Sequence, residues 1–123
     1  MVLGIGIDVV QVERIRRWKE VPGMYDRYFH PQEIETARQN GRRGVLSLAA
    51  RFAAKEAFGK ALGTGVEGFA LRDVEVVNDP RGKPELRLHG NAPRALAAFG
   101  GRRVHVSLSH EDDNAIAMVV IED

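Results

Sequence analysis

Val104-His105-Val106-Ser107-Leu108-Ser109 and Ala115-Ile116-Ala117-Met118-Val119-Val120-Ile121, joined across Glu111-Asp112-Asp113-Asn114, decide the fold. Both runs read as strands, and their link is too short for a parallel crossover, so they form an antiparallel hairpin. Just upstream, Asp73–Asn78 and Glu85–His89 flank Asp79-Pro80-Arg81-Gly82-Lys83-Pro84, a strong turn signal and a second hairpin. Ala92–Phe99 reads as a short helix between the two. Leu46–Leu62 is alanine-rich and proline-free, a long helix that stops at Gly63-Thr64-Gly65. Leu3–Val12, rich in Val and Ile, reads as a buried strand that leads into a basic helical segment, Glu13–Lys19. Pro31 sits early in a further helix that starts near Phe29–Glu33, and Asn40–Gly44 is a loop. The sum is an α+β fold, with antiparallel strands and one long helix.

Residues 1–123 read as a single domain, because no repeat, low-complexity block or long linker divides them. Eighteen Lys and Arg against seventeen Asp and Glu give +1, so no global field draws the chain to nucleic acid or an anionic membrane. The absence of cysteine excludes disulfides, thiolate metal sites and a Cys nucleophile, and fits a reducing compartment. No apolar run approaches the ~20 residues of a membrane span. Met1–Val10 lacks a basic leader and contains Asp8, so it does not read as a signal peptide. A cytoplasmic protein is expected.

Side chains alternate along a strand. Gly4, Gly6 and Asp8 therefore share one face of the first strand, opposite Leu3, Ile5, Ile7 and Val9. Two glycines beside a carboxylate leave a bare patch where another element or a ligand can approach closely. A carboxylate there is hydrogen-bonded, paired or bound to a metal. On the long helix, Phe52, Glu56 and Lys60 fall on one stripe with Ala49 and Ala53 beside them, while Arg51 and Lys55 point elsewhere. If that stripe docks on the glycine patch, Asp8 and Glu56 converge. Two carboxylates suit Mg²⁺ carrying phosphate oxygens. Lys60 then adds a point charge, and Gly63 and Gly65 offer backbone N–H groups to the same anion. This is no Walker A loop, since the glycines follow the helix.

His105, Ser107 and Ser109 share a strand face, which is either simply polar or a set of phosphate hydrogen-bonding groups. Arg14, Arg16, Arg17 and Lys19 around Trp18 form either a solvated face or a surface for an acidic partner. His30 and His89 have no partner in sequence. The chain lacks the basic stripe and stacking platform of a nucleic-acid binder. A non-enzymatic nucleotide- or nucleic-acid-binding module is the alternative reading, and it leaves Asp8 and Glu56 unexplained.

Together these pieces resemble the small bacterial 4′-phosphopantetheinyl transferases of the holo-acyl-carrier-protein synthase family, along nearly the whole chain. The resemblance rests on Gly4-Ile5-Gly6-Ile7-Asp8 with Glu13-Arg14-Ile15, and on Arg51-Phe52-Ala53-Ala54-Lys55-Glu56-Ala57 with Lys60-Ala61-Leu62-Gly63-Thr64-Gly65. Gly82-Lys83-Pro84 and Ser107-Leu108-Ser109-His110 complete it. Ala50 stands where a glycine is common, Gly59 interrupts the helix and Asn114 replaces an aromatic residue, at the cost of local packing rather than chemistry. The resemblance implies transfer of phosphopantetheine from coenzyme A to a serine of apo acyl carrier protein, in fatty acid biosynthesis. It assigns Mg²⁺ to Asp8 and Glu56, the phosphates to Lys60, Gly63 and His105, and the adenosine 3′-phosphate end to Arg51 and Pro84. Arg14 and Arg17 would dock the carrier protein. Glu56, acting through water, is the favoured proton acceptor, and a homotrimer with sites between subunits is implied.

Overall fold

β1 (Val2–Gln11) passes without a break into α1 (Val12–Trp18), so the strand that carries Asp8 also sets the position of the basic helix. This computed structural model describes residues 1–123. β4 (Arg103–His110) and β5 (Asn114–Glu122) form the hairpin read from the sequence. β1 then adds antiparallel to β5, giving the order β1-β5-β4 with Gly6 opposite Val119 and Asp8 opposite Ala117. A separate two-stranded sheet pairs β2 (Val74–Asn78) with β3 (Pro84–Leu88). Its turn is closed by Asp79, whose Oδ1 accepts from the amides of Arg81 and Lys83. α3 (Pro31–Gln39) carries Pro31 in its first turn, and α5 (Ala92–Phe99) has the bounds expected of it.

The long helix α4 (Gly44–Leu62) lies against the three-stranded sheet and is buried at fourteen of its nineteen positions. A helix apolar on every side belongs inside a fold. α1, α3 and the β2–β3 hairpin cover the sides that the sheet leaves open. Gly4 and Gly6 make the docking possible. A Cβ on Gly6 would fall 2.0 Å from the Ala57 carbonyl oxygen, and one on Gly4 2.0 Å from that of Ala61. Helix backbone therefore rests directly on strand backbone. At its end, Gly63 takes φ 81°, and its amide closes on the Lys60 carbonyl.

Three expectations need correction. Asn40–Gly44 is not a plain loop, because Gly41–Arg43 form a 3-10 turn and Gly44 is already the first residue of α4. Gly59 does not interrupt the helix; its bare α-carbon lets the Gly65–Val66 return lie against it. β1 is not buried on both faces. One helix covers one side of the sheet, so Ile5, Ile7 and Val9 stand 56–63% exposed, with Ile116 and Met118 beside them.

Two features escape the sequence reading. α2 (Met24–Tyr28) is a single short turn, held by stacking of Tyr28 on Trp18 and by Tyr25 Oη donating to the Ile15 carbonyl. Lys55 is fully buried. Its Nζ donates to Glu33 Oε1 (2.6 Å) and to the carbonyls of Leu71 and Val74. Glu33 in turn accepts from the amides of His30 and Val76, so the pair ties α3, α4 and β2 together. Burial holds the Lys55 ammonium below its ordinary range, and Glu33 opposes that shift. No helix is long and apolar enough to cross a membrane.

Candidate active site

Asp8 emerges from the glycine face of β1 beside the stripe of α4 that bears Glu56 and Lys60. Lys60 Nζ donates to Asp8 Oδ1 (2.9 Å) and to the Ile7 carbonyl (3.1 Å). Asp8 is largely shielded while Lys60 remains open to solvent. Glu56 is half-buried. Burial pushes its carboxyl above the usual carboxylate range and Asp8 adds to the rise, while Arg14 and Lys60 pull it back. The charges around Glu56 act on it through space rather than through a hydrogen bond.

At Glu56, burial and the second carboxylate outweigh the nearby cations, and an exposed lysine leans across Asp8. That donor set fits Mg²⁺, which takes one or two carboxylates and fills its other positions with water and phosphate oxygens. Asp8 and Glu56 are the residues that would hold it. The cluster stands on rigid elements, a strand and a helix locked backbone to backbone, which fixes its geometry.

Arg14 belongs to the same neighbourhood, a placement the sequence did not reveal. Its guanidinium lies 5.3 Å from the ring centroids of both Trp18 and Phe52, and its charge reaches Glu56. The only hint in the sequence was its i,i+4 spacing to Trp18. Arg17, by contrast, projects into solvent, with Glu13 at 3.9 Å. The amides of Gly63 and Gly65 do not reach outward as expected. They are spent on the carbonyls of Lys60 and Gly59, because the end of α4 needs its own donors. What the glycines leave is room, since a Cβ at either position would meet nothing within 4 Å.

Arg51, Pro84 and His105 do not join this cluster. Arg51 lies five residues before Glu56, which places it about 140° further round the helix axis. It is nearly buried, donating to the Val76 carbonyl (2.6 Å) and Ser47 Oγ (3.1 Å), and burial lowers its proton affinity. Arg51 and Pro84 instead line a cleft of about 720 Å³ with Arg43, Ser47, Gly82 and His110. Clefts of this volume accommodate a nucleotide-sized ligand. His105 stands on the outer face of β4, bonded to Glu122 Oε1 at 2.6 Å.

A carboxylate pair with its lysine, a polar cleft lined by Arg43 and Arg51 on another side of the same helix, and an α+β frame define a class of protein. The family model of the 4′-phosphopantetheinyl transferase superfamily matches residues 4–119, and the chain belongs to that superfamily. Within it, the chain is 48% identical to the holo-[acyl-carrier-protein] synthase of Treponema denticola over 122 residues, 99% of each chain. The enzyme of Treponema pallidum is 47% identical, over 99% of this chain and 97% of its own. Among solved structures, the holo-[acyl-carrier-protein] synthase of Neisseria meningitidis superposes with a TM-score of 0.90 at 40% identity, over the whole of both chains. That of Bacillus anthracis, in complex with CoA (3′,5′-ADP), gives 0.82 at 36%, over 98% and 96%.

Proposed function

We propose that this chain is a holo-acyl-carrier-protein synthase, which moves 4′-phosphopantetheine from coenzyme A to a serine of apo acyl carrier protein. The observation that carries the reading is the Asp8–Glu56–Lys60 cluster on its glycine-docked helix, in a chain 48% identical to such an enzyme from end to end. In the reaction the serine Oγ attacks the β-phosphorus of coenzyme A. The bond from that phosphorus to the bridging oxygen breaks, and adenosine 3′,5′-bisphosphate leaves. Little covalent chemistry falls to the protein, so its part is positioning and charge. Asp8 and Glu56 would hold Mg²⁺, which would neutralise charge on the pyrophosphate. Lys60, released from Asp8, meets a phosphate oxygen, and the bare surface at Gly63 lets the anion approach. Glu56 takes the serine proton through water; its raised proton affinity suits that role. The test is incubation with coenzyme A, Mg²⁺ and apo acyl carrier protein, read by intact mass. An unmodified carrier protein would overturn the assignment.

The split between the carboxylate cluster and the Arg51–Pro84 cleft supports a homotrimer in which one subunit supplies the metal ligands and its neighbour the adenosine end. The apolar outer face of β1 and β5 is the surface that such an assembly covers. His105, on that face, then meets a phosphate at a neighbour's site. Met118→Lys places a charge in the middle of the face. It is expected to yield monomers by light scattering and to lower transfer at least about tenfold; a monomeric parent would remove the trimer.

Arg14 and Arg17 on α1 flank the cluster and suit the acidic surface of a carrier protein. Reversing both charges is expected to raise KM for the carrier protein about tenfold or more while leaving coenzyme A affinity within about twofold. Equal losses of both would show that α1 is no docking surface. The protein acts in the cytoplasm, in fatty acid biosynthesis.

A further inference from the structure

His30, Glu75 and His89 are far apart in sequence and adjacent in space. His30 caps α3, Glu75 is the second residue of β2, and His89 follows β3, where its amide closes on the Asp73 carbonyl (2.8 Å). One ligand atom from each lies within 4.8 Å of the others. The Glu75 side chain is only 3% exposed, whereas the imidazoles are 30% and 35% exposed. None of the three belongs to the cluster of Asp8, Glu56 and Lys60.

The cations around Glu75 stand off from its carboxylate. His30 Nδ1 accepts the Gln32 amide (3.1 Å), so it carries no proton. Glu75 Oε2 stands 3.7 Å from the same nitrogen. His89 Nε2 meets the other carboxylate oxygen at 2.8 Å. A buried carboxylate needs a countercharge. Arg87 stands off at 4.0 Å, and Arg51 and Lys55 act on Glu75 only through space. A cation between the two rings and the carboxylate would be held by Glu75 and by one imidazole nitrogen of each ring, His30 Nδ1 releasing the Gln32 amide to serve.

We propose that His30, Glu75 and His89 form a binding site for a divalent transition metal of the Zn²⁺ class, with water completing a tetrahedral set. Two imidazoles and a carboxylate suit Zn²⁺, Ni²⁺ or Co²⁺ and not Mg²⁺, which prefers oxygen ligands throughout. Tetrahedral Zn²⁺ places its ligands about 3.3 Å apart, so the site tightens on binding. The two rings, stacked with centroids 4.8 Å apart, turn out of their stack to do so, which their surface position allows. The metal then clasps the start of α3 to the β2–β3 hairpin. That hairpin holds Arg51 through the Val76 carbonyl, so the clasp steadies the wall of the nucleotide-sized cleft.

The test is titration of the full chain with Co²⁺ alone, in excess Mg²⁺ to occupy Asp8 and Glu56. Visible absorption of four-coordinate Co²⁺ is expected at one ion per chain, displaced by Zn²⁺, and saturating Zn²⁺ is expected to raise Tm by roughly 10 °C. His30→Ser keeps a capping hydroxyl and His89→Gln keeps a hydrogen bond to Glu75. The double variant therefore folds, and it weakens Co²⁺ binding at least about hundredfold. Absence of the Co²⁺ band overturns the proposal, as does a band unchanged in the double variant. Should that variant misfold, the imidazole ¹⁵N resonances of the parent decide. Zn²⁺ must shift those of His30 and His89; a shift at His105 alone refutes the site.

Discussion

Glu56→Gln is expected to lower kcat/KM for transfer by about 10³-fold or more, with the chain fully folded and more heat-stable than the parent at neutral pH. The substitution keeps shape and removes one charge. It takes away the proposed metal ligand and proton acceptor together, and losing a single preorganised charge-stabilising group alone costs 10²–10³-fold. Stability moves the other way, because Glu56 is ionised at a cost. Burial and Asp8 hold its folded-state proton affinity above that of the unfolded chain. The native state therefore keeps its proton to higher pH. That contribution to stability is complete below the ordinary carboxylate range and is lost as pH rises through the raised one. The glutamine variant has no such loss. Its Tm advantage should thus be absent near about pH 4 and present near about pH 7, and Mg²⁺ should shrink it by supplying the missing countercharge. Full transfer activity in this variant would end the metal-ligand assignment, and equal Tm values at both pH values would show that Glu56 carries no such strain.

The legible parts of this protein are those written by local spacing. Gly4, Gly6 and Asp8 alternate on a strand, and Glu56 and Lys60 sit one turn apart. Both patterns follow from backbone periodicity alone, and the structure sets them face to face. The hairpins and α5 were equally plain, since turn residues and short links leave few arrangements. What stayed hidden depends on partners distant in the chain. Lys55 gave no sign of burial, because the carboxylate that neutralises it stands at Glu33, 22 residues away on another helix. His30, Glu75 and His89 had no local pattern at all; only the stacking of α3 on the second hairpin joins them. The faces of β1 were read incompletely for a physical reason. A helix backbone can lie on a strand only where side chains are missing, so the glycine face turned inward and the isoleucine face was left outside. The amides of Gly63 and Gly65 are not free for a ligand, as glycine spacing alone suggests, because the end of a helix uses nearby amides first.

Gly6→Ala, a single added methyl group, is expected to damage fold and function together. The new Cβ would lie 2.0 Å from the Ala57 carbonyl oxygen and 2.6 Å from the Ala61 amide nitrogen. Both are backbone atoms in the C-terminal part of α4, so no side-chain rotation relieves the clash. Either the helix lifts by more than an ångström or β1 leaves the sheet. Overpacking of a core typically costs 1–3 kcal/mol, and a backbone-to-backbone clash falls at or beyond the top of that range, about 3 kcal/mol or more. For a chain of this size, that lowers Tm by roughly 10 °C. The same movement parts Asp8 on β1 from Glu56 on α4, and a 1 Å misplacement of catalytic groups can cost about 10²-fold. Transfer measured well below the new Tm should therefore fall about hundredfold, even where circular dichroism shows the chain still folded. Gly23→Ala is the matched control: its Cβ meets nothing, and the strain of its positive φ costs about 1 kcal/mol. Parental Tm and activity in Gly6→Ala would mean that α4 does not rest on the glycines of β1, and the convergence of Asp8 with Glu56 would lose its cause.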